Sequence, residues 1–295
     1  MRASAAAQSS LPPTRWNGRE LSWGSRTYVM AILNLTPDSF SGDGLAGLGT
    51  DGVVAAAERA VAEGADLLDL GAESTRPGHA PVSAEEELAR LLPALAAVRP
   101  QISVPISVDT SKATVAEAAL AAGADLINDV RGLSRDPDLA AVVARAGVPA
   151  VVMHDVAPDG RGDLVTSIVR ELSRRLDAAL AAGIAWDNLI VDPGFGFGKE
   201  WRQNLELLRR LGELRVLGRP VLCGTSRKST IGKVLGLPPE DRLEGTAATV
   251  SLAIAGGADV VRVHDVAVMA RVAAMSDAVA RGAPTEERTW VAGDG

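Results

Sequence analysis

The chain has 295 residues, 47% of them hydrophobic, with a formal net charge of −7 and a pI of about 5.1. That acidity argues against a nucleic-acid surface, and a single Cys223 excludes an intramolecular disulfide or a cysteine-based zinc site. No apolar run nears the roughly 20 residues that span a bilayer, so a soluble cytoplasmic protein that meets no membrane is expected. Residues 1–20, Ser- and Ala-bearing without a secretory apolar stretch, read as a disordered arm.

From residue 21 the pattern alternates between alanine-rich helices and short β-branched runs. The first strand, 28–33, runs into Asn34 and NLTPDSF, where a dinucleotide fold would carry GxGxxG. DGVVAAAERAVAEG (51–64) is helical, its glycine closing the helix, and AEGADLLDL leads into a second strand at 67–70. Gly-Ala-Asp recurs before strands at 126–127 and 260–263, which marks one repeated unit. Further strands fall at 104–108, 150–153, 189–191 and 221–223. Eight strand–helix units imply a (β/α)8 TIM barrel as a single domain over 21–284, with a tail from 285 to 295.

Unusual residues collect after the strands. Asn34, Asp109, Asn128, His154, Asp192 and the GTSRKSTIG segment (224–232) all follow strand ends, and RVHDV (262–266) closes the last. In a barrel these ends share one rim, where active sites lie, so an enzyme is expected. Asp109, Asn128 and Asp192 suit a flat heterocycle rich in N–H donors; capping the next helix is the alternative for Asp109. Arg76, Arg227, Lys228 and Arg262 are positioned after strands as four cations for one anion. Without it they would repel one another, which points to a multiply charged ligand such as a diphosphate. VDPGFGFGK (191–199) sets Phe195 and Phe197 between glycines, as though rings were held toward a planar ligand. His154 is open between a rim role and packing, and Lys199 reads as surface. With no HExxH or Cys/His cluster, the expected metal is magnesium brought by the diphosphate, with Asn34 or Asp38 supplying an oxygen.

VMAILNLTPDSFSGDG, DLGAESTRPG, SVDT, GADLINDV, MH, VDPGFGFGK, GTSRKSTIG and RVHDV, in this order from Val29 to Val266, closely resemble the dihydropteroate synthase family. That resemblance implies a (β/α)8 barrel that joins para-aminobenzoate to 6-hydroxymethyl-7,8-dihydropterin diphosphate with Mg2+, releasing diphosphate. It would be a sulfonamide target and a homodimer. Carried over by motif, Asp109, Asn128, Met153, Asp192, Phe195 and Lys228 would bind the pterin. Asn34, Arg262 and His264 would bind diphosphate, with Asn34 also on the metal. Phe40, Thr75, Arg76, Pro77 and Ser226 would enclose the aminobenzoate, and Phe197 would pack the loop. Asp109, Lys228, Arg262 and His264 are the expected catalytic set. SGDG, Gly71-Ala72 and DVAPDGRGD (155–163) depart from the family's usual wording without touching these positions. A pterin-binding methyltransferase barrel shares the Asp/Asn pocket but needs neither SRKS nor RVH. A catalytically silent pterin-binding paralogue is the other alternative.

Overall fold

In a computed structural model that describes residues 11–36, 45–74, 81–158 and 162–282, the chain opens with a hairpin. β1 (Thr14–Trp16) and β2 (Arg19–Leu21) pair antiparallel around Asn17 and Gly18, with φ of 43° and 76°. Both turn residues at positive φ is what a two-residue type I′ turn requires, and Asn-Gly supplies it. Trp16 and Leu21 are buried, Thr14 Oγ1 donates to the Asp187 carbonyl at 2.5 Å, and Arg19 pairs with Asp125 at 2.8 Å. The expected arm through residue 20 is therefore corrected for 14–20, which are stapled to the body by burial and hydrogen bonds. Residues 1–10 and the expected tail lie outside the described residues.

Eight parallel strands follow: β3 (Tyr28–Asn34), β4 (Leu67–Gly71), β5 (Ile106–Asp109), β6 (Leu126–Asp129), β7 (Ala150–Met153), β8 (Leu189–Asp192), β9 (Leu222–Cys223) and β10 (Val260–Val263). They run β8-β7-β6-β5-β4-β3-β10-β9, and a parallel bridge between Val191 and Val221 joins the two edges into a barrel. The expected (β/α)8 TIM barrel is present. Every residue of β4 through β9 is buried, which explains near-continuous apolar runs in place of alternation. The outer layer comprises α1 (Gly49–Ala62), α2 (Ala84–Val98), α3 (Ala113–Ala121), α4 (Leu139–Ala146), α5 (Leu164–Ala181), α6 (Trp201–Arg209), α8 (Leu243–Ala255) and α9 (Val266–Ala280). A short α7 (Ser229–Leu235) sits between β9 and α8. None of the described helices is long and apolar enough to cross a membrane.

The Gly-Ala-Asp repeats lock adjacent strands together. The Asp66 backbone N–H donates to the Val29 carbonyl at 2.8 Å, and its carboxylate accepts the Val29 N–H at 2.9 Å. Asp125 makes the same exchange with Ile106, at 2.8 and 2.9 Å, and Asp259 with Val221, at 2.8 and 3.0 Å. Each ring fixes where a strand begins against its neighbour, at the amino-terminal end of the barrel.

Candidate active site

At the opposite rim, Arg262 of β10 reaches across β3 to the acids of β4 and β5. Its Nε donates to Asp69 Oδ2 at 2.6 Å and its Nη2 to Asp109 Oδ2 at 3.2 Å. Asn128 Nδ2 donates to the same Asp69 oxygen at 3.1 Å, which fixes the direction of the amide. The second oxygens, Asp69 Oδ1 and Asp109 Oδ1, are buried and accept no hydrogen bond from any described residue. A buried acceptor left unmet costs about 1–3 kcal/mol, so these two atoms mark where a donor-rich ligand is wanted. Burial, reinforced by Asp69, Asp129 and Glu87 and opposed by Arg262, pushes the Asp109 carboxyl up to about 8. A cavity of about 360 Å3 opens beside Asp109, with Thr110, Ser111, Val130 and Arg131 among its walls.

Asp192 closes β8 in register with Met153 of β7, and both are buried. Asp192 Oδ1 accepts the Gly194 N–H at 2.7 Å. Burial raises its pKa, against the Gly194 N–H, Lys228, Lys199 and Arg262. Gly194 has a φ of 71°, and a Cβ there would collide with the His154 carbonyl oxygen, so only glycine lets the loop press this closely on β7. The two loop phenylalanines differ in burial. Phe195 is buried in the hydrophobic core, whereas Phe197 is half-buried with the Lys228 ammonium 4.4 Å from its ring centroid. His154 proves to be a packed polar residue, 2% exposed, its Nδ1 2.9 Å from Lys199 Nζ. Burial, then Lys199 and Arg175, depresses its pKa to about 3, so it is neutral. Lys199, expected at the surface, is drawn inward.

After β9 and β10 the loops interlock. Ser226 Oγ accepts the His264 backbone N–H at 3.2 Å and lies 2.9 Å from ring Nδ1. The two contacts fix the position of the His264 ring at the end of β10. Ser226, expected against the aminobenzoate, is 4% exposed and holds His264 through its hydroxyl. Arg227 grips Asp265 through Nε at 3.1 Å and Nη2 at 2.6 Å. The picture of four mutually repelling cations is thereby corrected: Arg262 and Arg227 have carboxylate partners. Two of the five guanidinium N–H groups of Arg262 are used, which leaves donors for a ligand. Asn34 ends β3 half-buried, its carbonyl accepting the Leu45 N–H at 2.9 Å. Phe40, Thr75, Arg76 and Pro77, like Asp38, lie outside the described residues. Among the described residues no three or more His, Cys, Asp or Glu side chains gather to hold a metal.

The described rim thus gathers Asp109, Asn128, Asp192, Lys228, Arg262 and His264. Asp69 was missed as a site residue: it sits mid-strand, and only the fold brings it to Arg262 and Asn128. Buried acceptors stand beside compensated cations, an arrangement able to seat a heterocycle and an anion together.

Residues 30–264 match the family described as pterin binding enzyme. The chain is 46% identical over 264 residues to the dihydropteroate synthase of Clostridium beijerinckii, covering 89% of this chain and 98% of that protein. A dihydropteroate synthase structure from Yersinia pestis in complex with a sulfonamide drug is 40% identical with a TM-score of 0.85, over 91% of this chain and 98% of that one. One from Xanthomonas albilineans with 4-aminobenzoic acid is 44% identical with a TM-score of 0.83, over 92% and 98%.

Proposed function

The chain belongs to the pterin binding enzyme family, and on that premise we propose that it acts as a dihydropteroate synthase in folate synthesis. It condenses 6-hydroxymethyl-7,8-dihydropterin diphosphate with para-aminobenzoate to give 7,8-dihydropteroate and diphosphate. The observation that carries the reading is the pair of unmet carboxylate oxygens, Asp69 Oδ1 and Asp109 Oδ1, beside Arg262 on the catalytic rim of the barrel. A pterin presents ring and amino N–H donors to such acceptors, and Asn128 and Asp192 complete the edge-on recognition.

In the proposed reaction the bond between the pterin methylene and the diphosphate oxygen breaks first. Spare N–H groups of Arg262 and the His264 ring stabilise the departing charge. The electron-rich pterin carries the positive charge that remains, and Asp109 stabilises it across the ring. The aniline nitrogen of aminobenzoate then forms the new C–N bond and loses a proton to solvent. Phe197 and Lys228 bound the seat; Phe40, Thr75, Arg76 and Pro77 belong to the second-substrate side of the proposal. Asn34, at the end of β3, would supply an oxygen to Mg2+ carried in by the diphosphate, an ion that needs few protein ligands in such a site. When bound, Mg2+ neutralises charge on the leaving diphosphate.

The proposal extends to a cytoplasmic homodimer. Leu252 of α8 and Met275 and Val279 of α9 are 58%, 65% and 77% exposed on two helices tied by a Ser276–Ser251 hydrogen bond. Apolar side chains gathered in this way suit a self-association face. Met275→Glu should give a monomer in sedimentation at a concentration where the parent is dimeric; a parent that sediments as a monomer contradicts the dimer.

The test of function is incubation of the purified protein with pterin diphosphate, aminobenzoate and Mg2+, reading both products. Equimolar 7,8-dihydropteroate and diphosphate is the expected result. Diphosphate without dihydropteroate would reduce the activity to hydrolysis, and pterin binding without either product would mark a silent paralogue.

A further inference from the structure

Lys199 lies behind the pterin seat, within the glycine-rich loop that follows β8. Its Nζ donates to the carbonyls of His154 at 3.2 Å, Gly194 at 3.1 Å and Phe197 at 3.1 Å, and lies 2.9 Å from His154 Nδ1. Three backbone carbonyls and the His154 Nδ1 converge on one side-chain nitrogen, whose three N–H groups at most are shared among these four partners. The carbonyls come from two elements: the exit of β7 and the loop that carries Asp192's partner Gly194 and the Phe197 ring. A second anchor, the Gly196 N–H to Asn204 Oδ1 at 2.9 Å, ties the same loop to α6. No step of the proposed chemistry requires a cation here. Burial lowers the Lys199 pKa to about 7; Asp192 and Asp155 oppose the shift, and Arg175 and Lys228 add to it from the surrounding elements.

We infer that Lys199 is a positioning residue for the pterin site: it clamps the loop to β7 and thereby holds the Phe197 ring against the Lys228 ammonium and the Gly194 N–H on Asp192. The inference rests on the synthase reading but concerns a residue that touches no substrate. Replacing the Lys199 tip by an apolar one takes the donor from the His154 and Phe197 carbonyls, while the Gly194 carbonyl keeps only the Phe197 N–H at 3.1 Å. The loop then withdraws from β7, and the wall formed by Phe197 and Lys228 loses its fixed geometry. The loss falls on binding of the pterin, because the groups proposed to meet the diphosphate, Arg262 and His264, belong to β10 and the loop after it.

The test is steady-state kinetics with calorimetric titration of 6-hydroxymethyl-7,8-dihydropterin, on the whole protein and four variants. Lys199→Met should raise KM for the pterin diphosphate about tenfold, weaken pterin binding in parallel, and leave kcat within about threefold. Lys199→Arg, which keeps charge and donors, should stay within about threefold of the parent in KM. Phe197→Leu should also raise KM, and the Lys199→Met/Phe197→Leu double variant should be no more than about twofold worse than Lys199→Met alone, since the two act through one wall. A KM within about twofold of the parent for Lys199→Met, or fully additive effects in the double variant, overturns the inference. If Lys199→Met does not fold, Lys199→Gln decides: a KM several-fold above that of Lys199→Arg supports the clamp, and equal values overturn it. A parent that forms no dihydropteroate contradicts the proposed function; a parent that turns over while Lys199→Met is indifferent contradicts only the clamp.

Discussion

The two ends of the barrel use the same residue type for opposite purposes. At the amino-terminal end, Asp66, Asp125 and Asp259 each bond the backbone of the preceding strand, and Arg26 and Arg99 add charge to Asp66 and Asp125 at 2.8 and 2.7 Å. At the carboxyl rim, Asp69 and Asp109 share one guanidinium and keep an oxygen each without a donor among the described residues. A carboxylate whose bonds are complete holds the fold. One whose bonds are incomplete is held by the fold for something else. The difference separates stability from function within a single sheet.

Arg262 is where that separation should fail most. Arg262→Ala would strand two buried carboxylates, a loss of about 3–5 kcal/mol, and also remove donors from the leaving group. Both the melting temperature and turnover should fall; turnover near that of the parent would show that the guanidinium serves structure alone. Asp125→Ala is the clean case at the other end. It leaves the Ile106 N–H without its acceptor and takes the carboxylate partner from Arg19 and Arg99, at about 2–4 kcal/mol, while kcat of the folded fraction should be unchanged. Thermal denaturation with activity per folded molecule checks this, and a drop in kcat without destabilisation would break the comparison.

The smallest effect is one of pH. Asp109 has its folded pKa raised from 3.8 to about 8, so the folded protein holds this proton more tightly than the unfolded chain. The contribution to stability is full below the unfolded value and declines as pH rises through about 8. Pterin affinity should run the other way and increase toward pH 8, because the ionised carboxylate is the better acceptor for N–H donors. Asp109→Asn should flatten both trends, in melting curves and in calorimetric titrations from pH 6 to 9. Persistence of both slopes in the variant would assign them to another group.

The barrel was legible because its repeat is local: a helix closed by glycine, Gly-Ala-Asp, then a β-branched run. The rim was legible because polar residues at strand ends converge in any such barrel. The hairpin had a readable signal, Asn17-Gly18 between Trp16 and Arg19, that was overlooked beside the Ser- and Ala-bearing residues before it. Asp69 and Lys199 carried no local signal. Their roles depend on partners 193 and 45 residues away, Arg262 and His154, which only strand pairing brings into contact. Charge compensation was hidden for the same reason: Arg227 and Asp265 are 38 positions apart.

The most direct measurement is calorimetric titration of 6-hydroxymethyl-7,8-dihydropterin into the parent protein, Asp192→Ala and Asp125→Ala. Loss at the rim should weaken binding by about 100-fold or more, in the range found when a buried polar partner is removed from a donor-matched site, while the variant at the base binds as the parent does. Equal affinity in the parent and Asp192→Ala would contradict the assignment of the carboxyl rim, with Asp192 in it, as the seat of the pterin.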